Sequence, residues 1–225
     1  MLRHILMMFV MVCSFSCVAA DATQNSKPTE KVAVNKNFIE GKHYKKLENP
    51  LPASMGPVVE FMYFGCKSCY QLVPEVANWS YTTGIGVTVV PAHSDTTMLD
   101  EARMLHTFDQ LGVMDTMYEL GYVIFQTKEV NLQGEARVNS FLDRHKIDKE
   151  KFWATWKSDL VSQKLKQSAA LTKQAQISKT PTFIINGVYR VDVESLKSVE
   201  ELFDLLSYLV AKKPSTAPAL LKKAA

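Results

Sequence analysis

The 225-residue sequence predicts an α/β fold in which a long helical segment separates two groups of strands. Residues 57–64 and 85–91 are short apolar runs rich in β-branched and aromatic residues, which is typical of buried strands. The stretch between them has the apolar spacing of a helix, which indicates a β-α-β unit with parallel strands. Residues 181–191 predict two strands around an Asn-Gly turn, and an amphipathic helix follows them.

The interval between the two strand groups is about ninety residues long, far more than a structureless connection normally has. Apolar residues recur in it at helical spacing, so the interval is predicted to consist of helices that pack against a core. The two stripes are Met98, Ala102, Leu105 and Phe108, which stop before Gly112, and later Phe152, Trp156 and Leu160.

The first twenty residues have the parts of a secretory signal peptide. Arg3 precedes an apolar run, and small residues end at Ala20 before a polar stretch. The apolar run is too short to span a bilayer comfortably, so we expect a soluble, exported mature chain. Cys17 could instead be a lipid-modified first residue, an alternative that the bulky Phe15 disfavours. The weak basic excess of +3 does not indicate binding to nucleic acid.

Two of the four cysteines, Cys66 and Cys69, lie beyond the predicted signal peptide. A disulfide between them would be a poor structural staple, because the stabilisation grows with the length of the closed loop. A structural zinc site needs four ligands, and no histidine is spaced with these cysteines as in a zinc finger. A redox-active pair is the favoured interpretation. Cys66 would begin a helix, where free N–H groups and the helix dipole favour a thiolate.

Four features in order resemble the DsbA-type thiol:disulfide oxidoreductases of the thioredoxin superfamily. They are the C-x-x-C pair after an apolar strand, Glu60 six residues before the first cysteine, Tyr70-Gln71 directly after the second, and the Thr-Pro-Thr-Phe-Ile-Ile-Asn-Gly segment that begins at Thr180. The resemblance extends from Phe38 through the C-terminal helix. It implies a thioredoxin fold with an inserted helical domain and a cis peptide bond at Thr180-Pro181 that faces the cysteines.

The patterns and the resemblance together divide the chain into five parts. We expect a signal peptide in residues 1–20, the first part of the thioredoxin fold in 21–97, the helical insertion in 98–174, the second part of the thioredoxin fold in 175–212 and a polar tail in 213–225.

The resemblance implies that the protein donates a Cys66-Cys69 disulfide to folding secreted proteins by thiol-disulfide exchange. Cys66 would be the exposed sulfur that substrates attack, and Cys69 its buried partner. The expected partners are reduced or unfolded secreted proteins and a membrane quinone-linked reoxidase of the DsbB type, with no nucleic acid. We expect a periplasmic monomer that needs no metal and no cofactor beyond its redox-active disulfide.

Three residues near the cysteines have both a functional and an ordinary interpretation. Glu60 lies in an apolar strand, where an unpaired carboxylate is costly, so we favour a proton acceptor or donor for Cys69 over a solvated strand-end acid. Lys67 could attract a Cys66 thiolate and Ser68 could donate a hydrogen bond to it, but solvated side chains are favoured for both. The family usually carries Pro and His at these two positions, so this chain is predicted to be a weaker oxidant.

Two other functions stay open. In the family, the residue before the cis proline lies against the redox pair and helps to select partners, and Thr180 there also resembles the exported disulfide isomerases and reductases. We expect no dimerisation domain in residues 21–37, which are few and polar. A thiol-based chaperone or metal carrier is the third hypothesis. Four methionines could line an adaptable groove for unfolded substrates, although core packing is favoured. They are Met98, Met104, Met114 and Met117.

Overall fold

The computed structural model describes residues 37–93, 96–127 and 135–212. The predicted signal peptide and polar tail lie outside these residues, and so do Cys13 and Cys17. Among the helices of the described ranges, none is both long enough and apolar enough to cross a membrane. The boundaries proposed above for the five parts of the chain stay predictions.

Five strands form one mixed sheet in the order β1-β5-β4-β2-β3. In the centre, β2 pairs in parallel with β3, with Val58 opposite Val87, and antiparallel with β4, with Glu60 opposite Phe183. Strand β4 also pairs antiparallel with β5, with Ile185 opposite Tyr189, so the predicted parallel pair and the predicted hairpin are both present. The strands are β1 Lys45–Lys46, β2 Val58–Met62, β3 Val87–Pro91, β4 Thr182–Ile185 and β5 Tyr189–Asp192.

Strand β1 was not predicted, because two exposed lysines have no apolar alternation. It pairs antiparallel with β5 at the edge of the sheet, with Lys45 opposite Arg190. A very short edge strand that carries lysines discourages pairing with other chains, so its composition suits its position.

The described helices follow the predicted order around these strands. Helix α1 connects β2 to β3, helices α2 to α6 lie between β3 and β4, and α7 follows β5. The helices are α1 Lys67–Thr83, α2 Thr96–Leu111, α3 Met114–Thr127, α4 Glu135–Arg144, α5 Lys149–Trp156, α6 Asp159–Gln174 and α7 Val199–Ala211.

The first apolar stripe of the interval is confirmed as core at three of its four residues, since Met98 is only half-buried, and the second is wrong at Leu160. Ala102, Leu105 and Phe108 of α2 are buried. The second stripe does not continue to Leu160, which is 49% exposed. The reason is local: Ser158 has extended backbone angles, accepts a hydrogen bond from the N–H of Val161 and starts a new helix, so the helical spacing of α5 does not continue to residue 160.

The four methionines divide between the core and partly exposed positions. Met104 is 2% exposed and Met117 is 1% exposed, so the core interpretation is confirmed for these two residues. Met98 and Met114 are half-buried. Met98 lines a cavity beside Thr180, which is described with the site below.

Alternate residues of β2 face opposite sides of the sheet, which determines the surroundings of Glu60. Val59 and Phe61 pack with residues of α6 on one side. Val58 packs with α1 and α7 on the other side, and Met62 packs there with both cysteines. Glu60 lies between Val58 and Met62 on the same face, so its carboxyl group points to the side of the sheet that α1 covers.

Candidate active site

The cysteine pair lies at the start of α1, directly after the central strand. Cys66 is the residue that caps this helix, with extended backbone angles, and its Sγ accepts a hydrogen bond from the Cys69 N–H at 3.0 Å. The two residues form a disulfide with an S–S distance of 2.02 Å. The strand-to-helix junction predicted from the sequence therefore places one sulfur at the helix N-terminus and the other one turn further along.

The cysteines are more covered than expected. Cys66 is 3% exposed and Cys69 is fully buried, so the expected order of exposure holds but the difference is small. Helix α3 contacts this residue, because Gln126 donates a hydrogen bond to the carbonyl oxygen of Cys66 at 3.4 Å. The ring of Phe64, two residues earlier, stacks on Phe125 of α3 with the ring centroids 5.4 Å apart.

Ser68 lies between the redox pair and the loop before β4. Its Oγ is 3.5 Å from Cys66 Sγ and donates to the carbonyl oxygen of Thr180 at 3.5 Å. Ser68 and Lys67 are both exposed, as the ordinary interpretation expects. The Ser68 hydroxyl nevertheless contacts both sides of the site.

The Thr180-Pro181 peptide bond is cis, as the resemblance implied. Pro181 is buried and Thr180 is half-buried. Beside this loop lies a cavity of about 320 Å³. The residues that line it include Tyr63, His93, Met98, Lys179, Thr180 and Glu194.

Glu60 is in the middle of β2 and only 3% exposed, so the interpretation as a solvated strand-end acid is wrong. No cation of the described residues forms an ion pair with it. Burial disfavours the charged form and raises the pKa of Glu60 to about 8. The carboxyl group is therefore mostly protonated at neutral pH.

Two tyrosines of α3 complete the buried surroundings and were not predicted. The hydroxyl oxygens of Tyr118 and Tyr122 are 3.4 Å apart. Burial raises the pKa of both, and the charge of an ionised Glu60 would raise it further. A sequence pattern does not show which residues of a separate helix will pack over a strand, so no signal pointed to them.

A second contact from the insertion was also missed. The Oε2 atom of Glu101, on α2, accepts a hydrogen bond at 3.0 Å from the N–H of Gly65, the residue directly before Cys66. Among the described residues there is no group of three or more His, Cys, Asp or Glu side chains that could hold a metal ion.

A disulfide at the start of a helix, after a buried central strand and beside a cis proline, defines a thiol:disulfide exchange site on an α/β sheet. The family model described as DSBA-like thioredoxin domain matches residues 5–204. The chain therefore belongs to the DSBA-like thioredoxin domain family, and its fold is the expected thioredoxin fold with an inserted helical domain.

Individual relatives agree with this assignment. The chain is 28% identical over 186 residues to the thiol:disulfide interchange protein DsbA of Pseudomonas aeruginosa strain PAO1, which covers 80% of this chain and 88% of that protein. It is 23% identical over 195 residues to the thiol:disulfide interchange protein DsbL of Escherichia coli O6:H1, with 78% and 88% covered. The crystal structure of Pseudomonas aeruginosa DsbA superposes with a TM-score of 0.70 at 28% identity, covering 77% of this chain and 93% of that one. The chain is a thiol:disulfide oxidoreductase.

Proposed function

We propose that the protein is an exported dithiol oxidase, which donates the Cys66-Cys69 disulfide to reduced, folding secreted proteins. The observation that carries this proposal is the disulfide itself, placed at the N-terminus of α1 next to the Thr180-Pro181 loop. The similarity to thiol:disulfide interchange proteins named DsbA supports it.

The exchange would take place in two steps. A substrate thiolate attacks the sulfur of Cys66, the Cys66–Cys69 bond breaks, and Cys69 leaves as a thiolate that takes up a proton. A second thiolate of the substrate then attacks the substrate sulfur of the mixed disulfide, and Cys66 leaves as a thiolate. The substrate has lost two electrons and gained a disulfide, and the enzyme now carries the reduced pair.

We assign the proton for Cys69 to Glu60. Its carboxyl group is buried on the side of the sheet that α1 covers, and burial raises its pKa to about 8, so it holds a proton at neutral pH. A general acid works best when its pKa is close to the pH of the reaction. When the enzyme is reoxidised, the same group, as a carboxylate, would accept the proton again.

The direction of the reaction follows from the position of Cys66. The free N–H groups at the helix start and the helix dipole lower the pKa of the reduced Cys66 thiol, and this stabilises the reduced enzyme. A more stable reduced form makes the protein a stronger oxidant. Ser68 adds a hydroxyl near this sulfur, and the exposed Lys67 adds a screened positive charge. Neither would stabilise the thiolate as strongly as an imidazolium held next to it.

Thr180 and Pro181 would contact the substrate next to the attacked sulfur. The exposed Ser68 hydroxyl lies 3.5 Å from both the Thr180 carbonyl oxygen and Cys66 Sγ, so it is next to both sides of the site. The proposed partners are reduced secreted proteins and a quinone-linked membrane reoxidase of the DsbB type. We place the protein in the periplasm as a monomer, exported by a cleaved signal peptide, because residues 1–20 have the parts of a secretory signal peptide. The exchange would require no cofactor beyond the redox-active disulfide.

The test compares oxidation of a reduced peptide with reduction of insulin. We expect stoichiometric oxidation of a dithiol peptide by the oxidised protein and weak catalysis of insulin reduction. When the peptide is supplied in its disulfide form, the Cys66 thiolate of a Cys69→Ala variant should attack it and accumulate a mixed disulfide, because Cys69 is not there to displace the peptide, and Cys66→Ala should form none. Efficient insulin reduction with little peptide oxidation would instead identify a reductase or isomerase, the alternative that Thr180 suggests. Retained holdase activity in a Cys66→Ser, Cys69→Ser variant would indicate a chaperone.

A further inference from the structure

The helical insertion holds three of the four residues that connect β2 to α1. We call residues 64–66 the approach segment. The side chain of Phe64 packs on Phe125, the N–H of Gly65 donates to Glu101, and the carbonyl of Cys66 accepts from Gln126. Each residue of the approach segment is therefore held by a contact from α2 or α3.

The contact from Glu101 differs from the others because a glutamate ordinarily carries a negative charge at neutral pH. Its Oε2 is 3.0 Å from the N atom of Gly65, and a Cβ built on Gly65 would be 3.6 Å from its Oε1. The same Cβ would come within 2.8 Å of the Tyr63 ring, so Gly65 leaves just enough room for both neighbours. The half-buried carboxylate is thus held against the backbone one residue before Cys66.

Bond lengths place this carboxylate within about 12 Å of the Cys66 sulfur. A negative charge at that distance disfavours a thiolate, and partial burial weakens the screening by solvent and salt. We propose that Glu101 is a positioning residue of the redox site, which holds the approach segment through Gly65 and, through its charge, limits how strongly the enzyme oxidises its substrates.

The proposal rests on the proposed function in one respect, since it takes Cys66 as the sulfur that becomes a thiolate. The negative charge of Glu101 disfavours the Cys66 thiolate, whereas the N-terminus of α1 favours it. Other titratable or charged side chains near the site come from β2, α1, α3 and the segments after β3 and before β4. They are Glu60 and Tyr63 on and after β2, Lys67 and Tyr70 on α1, Tyr118 and Tyr122 on α3, His93 after β3, and Lys179 beside the cis proline.

The test removes the charge and keeps the hydrogen bond. In Glu101→Gln the amide oxygen can still accept from Gly65, so the approach segment should keep its position. We expect the pKa of reduced Cys66, measured by the ultraviolet absorbance of the thiolate, to fall by about 0.5. The equilibrium with glutathione should shift roughly 3-fold towards the reduced enzyme, because each tenfold change corresponds to one pKa unit.

The matched control is Asp100→Asn, which makes the same change of net charge at the exposed neighbouring residue of α2. We expect it to leave both quantities unchanged. An unchanged Cys66 pKa in Glu101→Gln, or an equal fall in Asp100→Asn, would overturn the proposal. If Glu101→Gln does not fold, Glu101→Ala is measured in its place, with the same expected fall and the same contradicting result. Mixed-disulfide formation by each variant in a Cys69→Ala background reports separately whether Cys66 is the reactive sulfur, so failure of the proposed function would be seen independently.

Discussion

Glu60 connects the chemistry of the site to the stability of the protein. Its pKa of about 8 in the folded state lies above the ordinary value of 4.5, so the folded protein holds a proton that the unfolded chain releases. The stability associated with this group is complete below about pH 4.5 and is lost as the pH rises to about 8. A buried acid that is useful in catalysis is therefore a cost to the fold at neutral pH.

Replacing Glu60 by Gln should remove this pH dependence. We expect the free energy of unfolding of the oxidised protein to be nearly unchanged at pH 4 and to rise by on the order of 3 kcal/mol at pH 7, measured by urea denaturation. Reduction of the disulfide should slow by about tenfold or more, because the proton donor for Cys69 is lost. Glu75→Gln, at an exposed position of α1, is the control. Equal stability of Glu60→Gln and the parent protein at pH 7 would contradict the prediction.

Ser68 offers a test of how the dipeptide between the cysteines sets the redox equilibrium. Ser68→His would place an imidazolium near Cys66, so we expect a lower pKa of the reduced Cys66 thiol and a more oxidising equilibrium with glutathione. Ser68→Ala controls for loss of the hydroxyl contacts with Cys66 and Thr180. If Ser68→His leaves both quantities unchanged, the cis-proline loop with Thr180 becomes the better candidate.

At the scale of elements, α3 packs directly on the approach segment because it has no side chain at Gly121. A Cβ at this residue would lie 2.5 Å from a ring carbon of Phe64. That ring is fixed on several sides, since it also packs edge-on against Tyr122, with the ring centroids 5.4 Å apart, and stacks on Phe125. The Phe64 ring has little freedom to move away, so the contact between α3 and the approach segment depends on Gly121.

Gly121→Ala should therefore destabilise the protein although alanine favours helices. Overpacking in a core typically costs about 1–3 kcal/mol, and the better helix propensity of alanine returns roughly 1 kcal/mol. We expect a net loss on the order of 1 kcal/mol in urea unfolding and a changed near-ultraviolet circular dichroism spectrum of the aromatic cluster. Glu119→Ala, at an exposed position of the same helix, should show neither effect. A Gly121→Ala variant more stable than the parent would show that Phe64 can move.

For the whole molecule, redox state and stability are two parts of one thermodynamic cycle. The disulfide closes a loop of only a few residues, which stabilises the oxidised protein by roughly 2 kcal/mol in the chain-entropy model. A Cys66 thiolate that is favoured by the fold stabilises the reduced protein instead. A strong oxidant is a protein in which the second contribution exceeds the first.

We expect the reduced protein to unfold at a higher urea concentration than the oxidised protein at pH 7. Under the proposed function the helix N-terminus lowers the pKa of the reduced Cys66 thiol, so the stabilisation would be complete above the unfolded value of about 8.5 and lost as the pH falls through the folded value. The difference between the two forms should therefore shrink on acidification. Glu60 is present in both forms, so the difference mainly reports the cysteines. A larger advantage of the reduced form at acidic pH would contradict the prediction.

Local patterns in the sequence determined much of the fold and the identity of the redox pair. Two apolar runs predicted β2 and β3, an Asn-Gly turn predicted the β4–β5 hairpin, and the C-x-x-C between a strand and a helix predicted the position of Cys66 and Cys69. These features depend on residues close together in the chain, and their geometry follows from the periods of strands and helices.

Only the tertiary structure decided what surrounds that pair. The burial that raises the pKa of Glu60, the contact of Glu101 with Gly65 and the fit of Gly121 against Phe64 all depend on elements that are distant in sequence. A single sequence specifies which face of each helix is apolar but not which residue of another element that face will meet. The desolvation and the charges around the cysteines depend on those contacts between elements. The sequence therefore determined the redox chemistry, and the packing of the inserted helices determined the surroundings of the cysteines.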